Sequence, residues 1–198
     1  MTTRAERKAE NRAKLLAAAR RVFAQKGFAA ATARDVVRET DLASGTFYNY
    51  FDSKDDAFRA VLEDFGVAAR AAAREQRLQP GRTVEERMYN AYMAYFQLVV
   101  EDPEMFEILR RNADVIAMLG VEDLFADAVS ELIEDMRQWV DEGQLPSGVI
   151  DQLPYVARSM AGGGFQVAAH IADAGETDID AAARFCTRLM LDGLRGLG

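Results

Sequence analysis

The segment S-G-T-F-Y-N-Y-F-D-S-K, residues 44–54, concentrates aromatic side chains, small hydroxyl side chains and one amide between a basic stretch and a long apolar one. Phe47 and Phe51 lie four residues apart, so in a helix they share one face and are expected to anchor it to the core of its own domain. The polar side chains between them cannot all point inward. We therefore predict a short helix from about Ser44 to Tyr50 that presents polar groups outward.

The residues before this segment predict two further helices. Apolar side chains at three- and four-residue spacing, from Leu15 to Phe23, indicate an amphipathic first helix that Gly27 ends. Thr32, with Asp35 three residues later, is a short form of the capping box and opens a second helix over about residues 33–40. Two short helices joined by a tight turn, with a longer helix packed across them, make the three-helix unit that reads DNA in helix-turn-helix proteins.

The rest of the chain is predicted to form a larger helical bundle. Six amphipathic helices are expected, beginning near residues 54, 83, 103, 121, 153 and 178. They are separated by breaks such as Pro80-Gly81 and by a proline- and glycine-containing stretch at 143–154. The fold class is therefore expected to be all-α, with three helices in a domain of residues 1–52 and about six in residues 53–198.

The charge of the chain is strongly asymmetric. Residues 1–34 contain nine basic and two acidic residues, whereas residues 61–198 contain twelve basic and twenty-four acidic ones. A basic end on an acidic body is typical of a protein that binds a polyanion at that end. The alternative is that these charges only solvate helix faces.

The composition also limits the cellular locations that we expect for the chain. No apolar run approaches the ~20 residues that span a membrane, and the charged N-terminus lacks the apolar region of an export signal. We therefore expect no membrane partner. A single cysteine, Cys186, excludes an internal disulfide, and a reducing cytoplasm is the simplest location that fits.

The first fifty residues resemble the DNA-binding domain of the TetR family of bacterial transcriptional regulators. The family's nine-helix plan agrees with the predicted number of helices, whereas the C-terminal two thirds share no motif with it. Asp41 and Ala43 stand where the family often has Gly and Ser, which leaves the start of the recognition helix open by one residue. The resemblance is carried by Phe23-Ala24, Gly27-Phe28, Thr32, Asp35-Val36, the run from Gly45 to Phe51, and Lys54.

The resemblance implies roles for individual residues. In the family, residues matching Tyr48 and Lys54 commonly bind phosphates, and residues matching Ser44, Gly45 and Asn49 approach base edges. An asparagine amide can read adenine through two hydrogen bonds, and the start of the second helix is expected to add phosphate contacts. The predicted DNA-binding residues are Thr32, Arg34, Ser44, Gly45, Thr46, Tyr48, Asn49, Tyr50 and Lys54.

Two alternatives stay open in this domain. Tyr48 is either a DNA-contacting side chain or a core tyrosine. The basic N-terminal arm either reaches a flanking minor groove or is a solvated tail; its residues are Arg4, Arg7, Lys8 and Arg12.

The larger domain is predicted to bind a small molecule, although ordinary core packing is the simpler explanation for any single aromatic residue. Arg110 shares a helical stripe with Phe106, so it either meets an acidic ligand group or pairs at the surface with Asp114. His170, the only histidine, has no second residue at metal-ligand spacing, so we expect neither a metal site nor a cofactor. The predicted ligand-binding residues are Tyr92, Phe96, Phe106, Arg110, Trp139, Phe165 and His170.

The last two predicted helices are expected to form a two-fold dimer, as the resemblance implies. Three consecutive glycines at 162–164 would each cost a helix about 1 kcal/mol relative to alanine. Close approach of a partner helix, a ligand or a kink would compensate, and a helix break is the alternative. The predicted interface residues are Gly162, Gly163, Ala169, Cys186, Leu189 and Gly193, with Cys186 alternatively an inert core residue.

These observations predict a homodimeric, ligand-responsive regulator that binds a near-palindromic double-stranded DNA operator. Repression, with release by a small molecule, follows from the resemblance alone. A DNA-organising or division-control protein of the same fold, acting without a ligand, is the alternative. An all-α enzyme is less compatible with the sequence, because the chain lacks paired metal-binding carboxylates, a nucleophile–histidine pair and a phosphate-binding loop.

Overall fold

The computed structural model describes residues 3–43, 45–118, 121–175 and 178–196. These ranges contain nine α-helices and two short 3₁₀ helices, and the predicted all-α fold class is confirmed. None of the helices in the described ranges is long and apolar enough to cross a bilayer. The helices are α1 (Arg4–Ala30), α2 (Ala33–Arg38), α3 (Lys54–Arg77), α4 (Val84–Glu101), α5 (Pro103–Arg111), α6 (Ala113–Met118), α7 (Val121–Asp141), α8 (Leu153–Ala174) and α9 (Ile179–Arg195), and the 3₁₀ helices are Phe47–Asn49 and Ser147–Gln152.

The start of the chain folds as local chemistry predicts. The helical path of α1 is interrupted at Gly27, whose φ of 74° lies in the left-handed region that glycine tolerates. At the start of α2, the Thr32 side chain accepts a hydrogen bond from the Asp35 backbone N–H, and the Asp35 carboxylate accepts one from the Thr32 backbone N–H. This is the predicted capping box.

The third predicted helix is much shorter than expected. Only Phe47–Asn49 form a 3₁₀ turn, Gly45 and Thr46 precede it in turn conformations, and Ser44 lies outside the described residues. A segment this short closes very few backbone hydrogen bonds. They do not offset the free-energy cost of starting an α-helix. Tertiary packing of the two phenylalanines holds the segment instead. We call residues 45–51 the recognition turn.

The helix predicted from residue 103 to about residue 119 is also divided. α5 ends at Arg111 and is capped by Asn112, whose side-chain amide donates a hydrogen bond back to the Ile108 carbonyl at 2.8 Å; α6 begins at the residue after Asn112. Asparagine competes in this way with the regular helical ladder. The predicted end of this helix at 119–120 lies outside the described residues.

Two buried clusters form the interior. One joins the core of the first helices, including Phe23 and Phe58, to Phe96 and Ile108 of the larger bundle. The other lies at the far end of the bundle around Trp139. Because α1 packs on both α3 and α5, the DNA-reading unit shares its core with the bundle, and movements of the bundle are mechanically connected to it.

Candidate nucleic-acid interface and effector cavity

The recognition turn is anchored to the core by its phenylalanines and exposes polar side chains. Phe47 and Phe51 are 1% and 2% exposed, as predicted, and their ring centroids lie 5.5 Å apart. Tyr48 is 64% exposed, so its interpretation as a core tyrosine is wrong. Asn49 is also exposed, and its side chain has no hydrogen-bond partner within the described residues. An unengaged amide and a phenol therefore stand on the outer surface of a rigidly anchored turn.

The other residues of the turn divide between inside and outside. Gly45 is exposed, and a Cβ built on it would meet nothing within 4 Å, so this backbone is open to close approach. Thr46 is half-buried, and Tyr50 is half-buried against the first core cluster. Tyr50 therefore contributes mainly to packing, and any DNA contact it makes is limited to its exposed edge.

The start of α2 presents an exposed cation, Arg34, that is not ion-paired in the part of the chain that the structure describes. The Thr32 hydroxyl is already engaged, because it donates to the Asp35 carboxylate at 2.7 Å. The Lys26 ammonium, 2.7 Å from the same carboxylate, and the Thr32 hydrogen bonds lower the pKa of Asp35 to about 2. The α1–α2 corner is thus held by internal polar bonds, and Arg34 is left for an external anion.

Lys54 is turned toward the end of α1. Its ammonium donates to the Phe28 carbonyl at 2.7 Å and lies 4.2 Å from the centroid of the Phe28 ring. An ammonium has two further hydrogens, so a phosphate contact by Lys54 stays a prediction. The contact also fixes the start of α3 against the end of α1, which the sequence did not indicate.

A buried amide joins this corner to the larger bundle. The Phe28 backbone N–H donates to the Asn112 side-chain oxygen at 2.6 Å, and Asn112 is only 3% exposed. Arg20 of α1 adds ion pairs to Asp102 and Glu104 at the start of α5. The junction of α5 and α6 is therefore bonded directly to the turn that precedes α2.

A cavity of about 140 Å³ that is partly open to solvent lies between the two core clusters of the bundle. It is bounded by residues of α3, α4, α5, α6, α7 and α8, and most of them are apolar. Leu109 and Ile116, on either side of Asn112 in the chain, both line it. A molecule in the cavity would therefore contact the same helices that hold Phe28.

Two of the predicted ligand-binding residues, Tyr92 and Phe165, line this cavity. Gly164 makes room for the Tyr92 ring, since a Cβ there would come within 3.2 Å of it. α8 continues through all three glycines, so the helix break proposed as an alternative is wrong.

The other predicted ligand-binding residues lie elsewhere, and these assignments are corrected. Phe96 is fully buried beside Tyr92, with ring centroids 5.8 Å apart, and packs in the core. Phe106 is partly buried against the same cluster, and Trp139 is 1% exposed in the far one. His170 is exposed on α8. Phe96, Phe106 and Trp139 therefore pack in the core. Helical spacing alone cannot distinguish a core position from a position in a cavity wall.

Arg110 points to solvent, so its assignment to the ligand site is wrong. It is exposed, and its guanidinium pairs with Glu107 at 2.8 Å, one turn back on α5. The surface alternative was correct, with Glu107 rather than Asp114 as the partner. Ile108 and Leu109 both lie on the buried face of α5, and Arg110 lies on its exposed side.

The charged residues beside the cavity were missed by sequence reasoning. Three arginines on one face of α3 meet four acidic residues of α7, and Arg77 is paired with Asp135 at 2.7 Å while both are buried. The signal was present in the spacing, since both sets recur at three to four residues. These residues, which we call the α3–α7 ladder, are Arg70, Arg74, Arg77, Asp127, Glu131, Glu134 and Asp135.

The predicted interface residues are mostly on the outside of α8 and α9. Leu189 is 56% exposed, Gly163 and Gly193 are exposed, and Gly162 and Ala169 are half-exposed. Cys186 is 4% exposed inside its own protomer, so its assignment to the interface is wrong. Burial raises the pKa of its thiol to about 11, which suits an inert core residue.

The chain is similar in sequence to known proteins. Residues 15–61 match the family model described as bacterial regulatory proteins, tetR family. The chain is 26% identical to YdgC of Bacillus subtilis, an uncharacterized HTH-type transcriptional regulator, over 72% of this chain and 85% of that protein. It is 29% identical to the HTH-type transcriptional repressor KstR2 of Mycolicibacterium smegmatis, over 72% of this chain and 67% of that protein.

Among solved structures, the chain is similar to the transcriptional regulator FadR from Bacillus subtilis in complex with stearoyl-CoA. The TM-score is 0.74 with 15% sequence identity, and the match covers 91% of this chain and 97% of that chain. At this identity the likeness shows the shared fold alone.

Proposed function

Because the chain belongs to the TetR family of bacterial regulatory proteins, we propose that it is a repressor that binds a near-palindromic DNA operator as a homodimer and is released by a small molecule. Residues 1–52 would read the DNA, and residues 53–198 would bind the effector and dimerise. Because a repressor must reach chromosomal DNA, the protein would act in the cytoplasm.

The observation that carries the DNA-reading part is the recognition turn. Its buried phenylalanines fix its position, whereas Tyr48 and Asn49 are exposed and unengaged in hydrogen bonds within the described chain. A phenol hydroxyl and a free arginine suit phosphate oxygens, and an amide suits a base edge. We assign phosphate contacts to Tyr48 and Arg34 and base contact to Asn49.

The cavity and its connection to Phe28 support ligand release. Leu109 and Ile116 touch the cavity, and Asn112 between them holds the Phe28 N–H. A ligand that displaces α5 or α6 would strain this bond and re-aim the recognition turn. Such a ligand switches the protein only if it binds one arrangement better than the other. The word repressor in the name of KstR2 supports the sign of regulation.

The outer face of α8 and α9 supports the dimer. Phe185 and Leu189 are 60% and 56% exposed and lie one turn apart on α9, and Tyr155 is 75% exposed on α8. A Cβ added at Gly162 or Gly163 would meet nothing within 4 Å in the protomer, so a second helix can approach there closely. An apolar stripe of this kind is typical of a self-association surface.

Selection of operators from a random DNA pool with the purified protein tests the proposal. We expect a palindromic consensus, whose two halves reflect the two-fold dimer. Tight binding without sequence preference, falling steeply with salt, would instead support the DNA-organising alternative.

Leu189→Glu is expected to raise the dimer dissociation constant by roughly tenfold or more, because it would place a carboxylate in each half of an apolar two-fold contact. Sedimentation velocity over a range of protein concentrations measures the effect. Leu78→Glu is the matched control, since Leu78 is 47% exposed at the end of α3, away from this face. An equal effect of both substitutions would contradict the assigned dimer surface.

A further inference from the structure

The size of the cavity limits what it can bind. An apolar protein cavity of about 150 Å³ accommodates benzene, and the volume here is about 140 Å³. One ring with one or two small substituents fills such a space.

The walls favour a ring over a flexible chain. Tyr92, Tyr95 and Phe165 contribute aromatic surfaces, and Met88 and Met160 contribute thioethers. Aromatic rings pack favourably edge-to-face with one another and against sulfur.

Two tyrosine hydroxyl groups beside the cavity form no hydrogen bond within the described parts of the chain. Neither the Tyr92 nor the Tyr95 hydroxyl has a hydrogen-bond partner among the residues described by the structure. Burial raises the pKa of both groups, so both are protonated at neutral pH and can donate as well as accept. A hydroxyl on a bound ligand would form a hydrogen bond with one of these phenol groups, which can donate or accept.

The charged groups at the wall do not offer a site for an anion. Arg70 and Arg77 line the cavity, but Arg70 is 3.2 Å from Asp127 and Arg77 is 2.7 Å from Asp135. Glu131 lies within 3.9 Å of both arginines, and one of its carboxylate oxygens is buried without a hydrogen-bond donor. A ligand carboxylate would meet arginines that are already paired with acidic side chains of the protein, and a buried anion without a partner is strongly unfavourable.

We infer that the effector is a compact, uncharged, single-ring molecule that carries one hydroxyl group, and that it is not a carboxylic acid. The inference rests on the proposed ligand response, because it names the class of molecule that the same cavity takes. Tyr92 and Tyr95 select the hydroxyl, and the α3–α7 ladder excludes the acid.

Isothermal titration calorimetry of the full chain with four probes of matched shape tests this class at pH 7 without DNA. The probes are p-cresol, toluene, 4-methylbenzoate and 4-methylbenzylamine. We expect p-cresol to bind at least tenfold more tightly than 4-methylbenzoate and about threefold to tenfold more tightly than toluene, because one hydrogen bond distinguishes p-cresol from toluene. The Tyr92→Phe, Tyr95→Phe double variant should remove the advantage of p-cresol over toluene.

A pair of variants locates the site. Ala73→Leu fills space at the cavity wall and should weaken p-cresol binding at least tenfold, whereas Ala71→Leu, at an exposed position on the same helix, should leave it unchanged. Tighter binding of 4-methylbenzoate or 4-methylbenzylamine, no binding of p-cresol, or equal effects of the two variants would overturn the inference.

Operator binding distinguishes this inference from the proposed function. If p-cresol binds in the cavity but leaves operator affinity unchanged in fluorescence anisotropy, the proposed ligand response fails and the ligand class stands. If 4-methylbenzoate alone releases the operator, the proposed function stands and the ligand class is wrong.

Discussion

Asp135→Ala is expected to lower the free energy of unfolding by about 3 kcal/mol or more, because it leaves the buried Arg77 guanidinium without its carboxylate. Asp135 and Arg77 are 2% and 6% exposed, and their side chains meet at 2.7 Å across α3 and α7. Glu131, 3.9 Å from Arg77, is the remaining carboxylate nearby and compensates only partly. Urea denaturation at a fixed protein concentration measures the change.

The neighbouring residue provides the control. Glu134 pairs with Arg74 at 3.6 Å, but its side chain is 67% exposed. Exposed ion pairs contribute about 1 kcal/mol or less, so Glu134→Ala should shift the denaturation midpoint only slightly. Arg77→Met combined with Asp135→Leu should recover much of the loss, since apolar residues of similar volume avoid the desolvation of both charges. Equal losses for Asp135→Ala and Glu134→Ala would show that Arg77 does not depend on its buried partner.

Asn49→Ala is expected to remove discrimination at one base pair in each half of the operator. A bidentate amide–adenine contact accounts for about 1–3 kcal/mol of discrimination, and a dimer makes it twice. Because Asn49 is exposed and makes no side-chain hydrogen bond in the described parts of the chain, its loss should leave the fold intact. Fluorescence anisotropy on the selected operator and on single-base variants measures the change.

Arg34→Ala separates base reading from phosphate binding. It removes an exposed cation at the start of α2 that has no ion-pair partner in the described ranges. Affinity should therefore fall by a similar factor on every sequence, and the salt slope should decrease by about one for each phosphate that the variant no longer binds. If Asn49→Ala produced the same uniform fall in affinity, Asn49 would be a phosphate-binding residue and the base reader would lie elsewhere.

Local chemistry predicted much of the DNA-reading unit. Gly27 interrupts the first helix, Thr32 and Asp35 form the capping box, and Phe47 with Phe51 anchors the turn. Each of these depends on residues within four positions of one another. The predicted helix of the turn was the exception, because its conformation is set by what the two phenylalanines pack against.

The cavity in the bundle was less predictable. Helical spacing placed Arg110 on a stripe with Phe106, but spacing does not say which side of a helix a neighbouring helix covers. The structure turned Arg110 outward to Glu107 and placed Tyr92 and Phe165 at the cavity. Spacing also could not predict contacts between residues far apart in the chain, such as Arg77 with Asp135 and Phe28 with Asn112.

The sequence by itself determined the all-α class, most helix boundaries, the basic end of the chain and its resemblance to the TetR family, because caps, glycine breaks, apolar periodicity and a compact motif are encoded by near neighbours. Only the tertiary structure decided that Lys54 faces Phe28, that Cys186 is buried in its own protomer, and that the cavity arginines are neutralised. The physical reason is that burial and charge pairing depend on which helices meet, and helices meet across long separations in the chain.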